Sequence, residues 1–135
     1  MNPIAVHDHL SPMGVFLDAA PAVKLIMACL LVSMVAALII CAGKLASGPR
    51  LSGGSAFLSG LRLGGPILGL LGAAWTGLSM SLGFANAPSP APVSVLAHGY
   101  AEIMLLVVIG LMAGAVAVIA NWAVEARIDR AVLKA

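Results

Sequence analysis

The chain has 135 residues, of which 61% are apolar and only 9% charged, with a formal net charge of +2. A water-soluble domain carries roughly a quarter charged residues, so this composition excludes an ordinary soluble fold. So small a charge surplus leaves no footprint for nucleic acid. The chain also lacks a nucleophile–base pair, a glycine-rich phosphate loop and a metal-ligand cluster, so neither enzymatic activity nor a cofactor or metal is expected.

Residues 1–21 contain no Lys or Arg but hold His7, Asp8, His9 and Asp18. A cleaved secretory signal opens with positive charge and continues into a short apolar core. This lead-in is therefore expected to stay on the mature protein as a short amphipathic or irregular stretch. His7 and His9 flank Asp8 and would suit a metal only in an extended segment; a solvated tail is the simpler reading.

Three stretches are long enough for a bilayer core, which needs about 20 apolar residues per helix. They are residues 22–43, 66–84 and 96–124, separated by a connector at 44–65 and a loop at 85–95, with a tail at 125–135. All three are expected to be helical, because lipid offers no partner for an unpaired backbone group. Cys29 and Cys41 lie twelve positions apart in the first stretch, roughly 18 Å along a helix, too far to bridge. Both read as packing residues. The fold class is thus an all-α membrane protein of three transmembrane helices in a single domain.

The basic residues give a direction. Lys44, Arg50 and Arg62 lie in the connector and Arg127, Arg130 and Lys134 in the tail, whereas the loop with Pro88, Pro90 and Pro92 carries no charge. Cytoplasmic loops carry the excess of Lys and Arg, so the N-terminus is expected outside and the C-terminus in the cytoplasm. In a bacterial inner membrane the proline-rich loop then faces the periplasm. The alternating charges of the tail read as the solvated end of the third helix. Asn121 and Trp122 fit an interfacial belt, and Trp75 reads as a mid-span packing residue.

Inside the spans one ionisable side chain stands out, Glu102. A charge there costs a few kcal/mol even on lenient scales and normally faces a bundle interior or a water-filled path. A carboxyl so placed can take up and release protons. The competing reading lets it snorkel to the outer headgroups, about six residues from the start of its span. The second span carries a row of small residues every four positions, Gly65, Gly69, Ala73, Gly77 and Ser81, beside a second row of Gly72, Thr76, Ser79 and Gly83. The third adds Gly110 and Gly114. Small rows let helices approach closely in lipid, where hydrophobicity does not drive them together. Counted from the outer ends, Thr76 and Ser79 fall near the depth of Glu102, which makes Glu102, Thr76 and Ser79 the candidate proton pathway.

These residues also carry a resemblance. Leu10-Ser11-Pro12-Met13-Gly14, with Lys24 and a first span ending Ala42-Gly43-Lys44, resembles the opening of ExbB and TolQ proteins. The run from Gly65 to Trp75 looks like their second pore helix, and Gly99-Tyr100-Ala101-Glu102 through Ile109-Gly110-Leu111 looks like the opening of their third. The ordered set covers all three spans and is similar to the MotA/TolQ/ExbB proton-channel family. That resemblance implies a pentameric ring whose second and third helices line a pore around single-span ExbD- or TolR-like partners bearing an intramembrane Asp. It implies proton flow coupled to periplasmic or outer-membrane transport or envelope work, with Glu102 as the pore-facing glutamate. The chain departs from the pattern at Ala73 and Val107, where members usually have threonine, and in its short connector, where they carry a helical cytoplasmic domain. The alternatives are a non-conducting structural subunit on the same scaffold and an unrelated small proton- or cation-coupled transporter.

Overall fold

The computed structural model describes residues 11–47, 55–89 and 92–133. Within them the chain is helical, without strands: α1 (Pro12–Asp18), α2 (Pro21–Ala46), α3 (Ala56–Ala85) and α4 (Val93–Leu133). The last three are long and apolar enough to cross a membrane. His7, Asp8, His9, Arg50, Pro90 and Lys134 lie outside the described residues.

Two prolines punctuate the start. Ser11 caps α1, its Oγ accepting from the Gly14 backbone N–H at 3.0 Å, and Pro12 occupies the first turn. That turn leaves N–H groups unpaired in any helix, so a proline there costs little. Pro21 repeats the device: it holds Ala20 extended and opens α2 on a new axis. The lead-in thus contains a seven-residue helix, anchored by the buried Val15 and Ala19.

Helix α2 buries a narrow stripe of Val23, Met27, Leu30 and Ala37, at the three- and four-residue spacings of one helical face. Its other faces display exposed apolar side chains such as Leu25, Val32, Leu38 and Ile39, which water would penalise and lipid accepts. Helix α3 begins at Ala56, ten residues ahead of the stretch expected from Pro66, so half of the connector is helical. Pro66 sits inside the helix rather than at its start. Such interior prolines are tolerated in membrane helices because neighbouring groups meet the freed backbone. Here the Arg62 carbonyl, deprived of its usual donor, faces Gly114 on α4. The early turns hold because Leu58 and Leu61 bury against Ala37, Ala117 and Ala120. Helix α4 has 41 residues, about 61 Å at 1.5 Å per residue. A hydrocarbon core is only about 30 Å thick, so α4 projects well beyond it.

Helices α3 and α4 run antiparallel and share the most extensive interface. Its register follows from facing pairs: Gly65 with Gly114, Gly69 with Gly110, Gly72 with Leu106 and Gly77 with Ile103. Helix α2 runs parallel to α4, with Cys41 Sγ 3.8 Å from the Ala120 carbonyl. Two apolar clusters flank the glycine crossing. One joins Ala19, Val23, Met27, Ala73 and Leu106, and the other joins Ala37, Leu58, Leu61, Ala117 and Ala120.

Candidate functional site, a buried carboxyl at the helix crossing

The approach of α3 to α4 is set by four glycines. A Cβ added at Gly69 would lie 2.8 Å from both the Gly110 Cα and the Leu106 carbonyl oxygen. One added at Gly110 would lie 2.7 Å from the Gly69 Cα, and one at Gly114 2.7 Å from the Pro66 Cγ. At Gly65 it would meet the Gly114 nitrogen at 3.0 Å. A side chain at Gly69, Gly110 or Gly114 would force a shift of the facing backbone or of Pro66, one at Gly65 would press its neighbours by a few tenths of an ångström, and with glycine at all four the backbones pack directly.

Just over two turns along α4 from Gly110, the nearest glycine of the crossing, lies Glu102. Its side chain is 9% exposed, and Oε1 is buried without a hydrogen-bond partner among the described residues. It is turned into the helix packing rather than snorkelling outward. Thr76 is 7% exposed, and its Oγ1 is likewise buried and without a partner among the described residues. Thr76 adjoins Gly77 and Glu102 adjoins Ile103, and Gly77 faces Ile103, so the register sets these two polar side chains at about the same level. An unmet buried polar group costs about 1–3 kcal/mol. Two at one level make this a costly spot in the isolated chain.

The apolar shell around this pair is specific. Leu106, one turn along α4 from Glu102, is fully buried with Met27 and Ala73. The α2–α4 register set by Cys41 and Ala120 brings Glu102 level with Val23, at the end of the bundle where α1 packs. Chemically, a carboxyl and a hydroxyl make a versatile pair, since the hydroxyl donates once and accepts twice. Together they can exchange a proton with each other, with water, or with a group on another chain.

The other sequence candidates divide. Gly65, Gly69, Gly110 and Gly114 form the crossing, and Ala73 is buried in the first apolar cluster. Gly77 is half-buried, and a Cβ there would make only ordinary contact, 3.7 Å from Ile103 Cδ1. Ser81 is exposed and donates back to the Gly77 carbonyl at 2.8 Å. Ser79 is exposed, off the face shared by Thr76 and Glu102. Val107 is half-buried against the first apolar cluster. Trp75 is 58% exposed and points out of the packing instead of into it.

Asn121 is a residue that sequence reasoning assigned to the interfacial belt. It is buried, and its Nδ2 donates to Glu125 Oε1 at 2.8 Å. The four-residue spacing of an amide and a carboxylate was the available signal. Its neighbour Trp122 is 76% exposed, as an interfacial indole would be. Cys29 is exposed and Cys41 half-buried, both as free thiols. Among the described residues no group of His, Cys, Asp and Glu is arranged to hold a metal.

Set against known proteins, the chain matches no family model, and no curated protein and no solved structure matches it either.

Proposed function

We propose that this chain is a membrane subunit of a proton-driven complex, similar in plan to ExbB and TolQ, in which Glu102 carries protons between the two sides. The observation that supports this reading is the buried, unpartnered Glu102 Oε1 level with the unpartnered Thr76 Oγ1. A group that costs folding energy in the isolated chain is explained if its partner arrives in function. Proton carriage gives it one, because the carboxyl alternately holds and releases a proton while the hydroxyl hands it on. Glu102 lies toward the α1 end of the bundle, so on the expected orientation it receives protons from the periplasmic side by a short path. The large apolar outer faces of α2, α3 and α4 supply surface for lipid, for further copies in a ring, and for a single-span partner with an intramembrane Asp. The complex belongs in a bacterial inner membrane, with the N-terminus periplasmic and the C-terminus cytoplasmic.

A second reading has its own support. Ala73 and Val107 sit among apolar side chains, so the two positions where the resembling family has threonine offer no hydroxyl. On that reading the chain is a structural subunit that keeps the scaffold without conducting.

Purification from native membranes in mild detergent, with identification of what accompanies the chain, separates the two when combined with Glu102→Gln. The motor reading expects a ring with a single-span, Asp-bearing partner, and loss of the energised phenotype in the variant with assembly intact. An unchanged energised phenotype in Glu102→Gln would sink it and leave the structural reading.

A further inference from the structure

At the opposite end of the bundle from Glu102, an open cleft of about 450 Å³ is lined by Leu45 of α2 and by Ala123, Ala126, Arg127 and Arg130 of α4. We propose that this cleft binds the phosphate headgroup of an anionic phospholipid. The inference is independent of proton carriage.

Three features carry it. Arg127 and Arg130 stand three positions apart, so they share one face of α4, and both line the cleft. Neither is in an ion pair among the described residues. The nearest acid on one side, Glu125, has Oε1 engaged by the Asn121 amide; Asp129 on the other is exposed and offsets only part of the charge. A guanidinium presents a planar fork of donors suited to the oxygens of a phosphodiester. The floor is apolar, made by Leu45 and two alanines too small to fill it. A free phosphate ion gains nothing from such a floor, whereas the glycerol and first methylenes of a lipid do. The location fits as well: Trp122, 76% exposed, lies one turn before the arginines, where an indole marks the boundary between chains and headgroups. Basic pockets between helices at that boundary hold anionic headgroups.

The test uses the full chain in phosphatidylcholine vesicles, in a Trp75→Phe background so that Trp122 is the one tryptophan. Quenching of Trp122 is titrated with brominated phosphatidylglycerol and with brominated phosphatidylcholine. Preference for the anionic lipid of up to about 25-fold is expected, since each of the two basic residues near the surface contributes about fivefold. Arg127→Gln with Arg130→Gln brings the preference to near unity, the paired Lys variants keep most of it, and Arg62→Gln leaves it unchanged. If the double Gln variant does not reconstitute, each single variant is expected to show a partial loss. An equal response to both lipids, a preference that survives the Gln variants, or displacement by millimolar inorganic phosphate would each overturn the proposal; the last would mean an ion site instead.

Discussion

Replacing Gly69 by alanine is the sharpest perturbation of this fold. The new Cβ would lie 2.8 Å from the Gly110 Cα and from the Leu106 carbonyl, where ordinary contact begins at 3.4 Å. Both obstacles are backbone, so no rotamer change relieves them and the helices must part by about 0.6 Å. A gap of that size forfeits roughly a quarter of the dispersion energy of the atoms it separates, and overpacking of this kind costs about 1–3 kcal/mol. The better helix propensity of alanine returns up to roughly 1 kcal/mol, leaving a net loss of about 1–2 kcal/mol. Gly77→Ala and Gly83→Ala are the controls: the first meets only ordinary contact and the second nothing within 4 Å. Both should hold or gain stability. Gly110→Ala should match Gly69→Ala, and the double variant should lose less than the sum, because one separation relieves both clashes. Unfolding in mixed micelles, followed by tryptophan fluorescence, reads the order. If Gly69→Ala unfolds together with Gly77→Ala, the close glycine crossing is refuted.

Other residues give further expectations. Thr76→Val removes a buried hydroxyl without a partner in the described chain and should leave stability equal or up to about 1 kcal/mol higher, while slowing any proton flux; a clear loss of stability would mean the hydroxyl is already satisfied. Asn121→Ala breaks the bond to Glu125 and should cost about 1 kcal/mol in the same unfolding assay, and no loss would make that bond incidental. Ser11→Ala removes the cap of α1 and should cost about 1 kcal/mol locally. Faster amide exchange confined to α1 is the expected signature, and unaltered exchange there would dismiss the cap.

Much of the scaffold was legible in the sequence, because long apolar runs leave helices as the one way to satisfy the backbone in lipid. Gly110 and Gly114 were legible as a close-approach pair. The row on α3 was legible in part, for a geometric reason. Four residues turn a helix through about 400°, so a four-residue row drifts about 40° per step. Gly65 and Gly69 meet α4, but by Ser81 the row has rotated away. The packed face is instead kept by a three-residue step from Gly69 to Gly72 and a four-residue step on to Thr76, which sets Thr76 at the level of Glu102 and leaves Ser79 exposed. Facing direction depends on the partner helix, and no single-helix pattern contains it. Pro66 misled for a related reason: it reads as a helix start, yet the burial of Leu58 and Leu61 by two other helices extends α3 ahead of it. The tail charges suggested a solvated face alone, since the cleft beneath Arg127 and Arg130 needs Leu45, some eighty residues away, to close one wall.

The central claim is that Glu102 carries protons, and the direct measurement is proton uptake by vesicles. The complex from native membranes is reconstituted with an internal pH dye, and a potassium gradient with valinomycin sets the membrane potential. Wild type should acidify the lumen, and Glu102→Gln, recovered at the same yield and assembly size, should fall to the rate of empty vesicles. Equal uptake by the two would contradict the account.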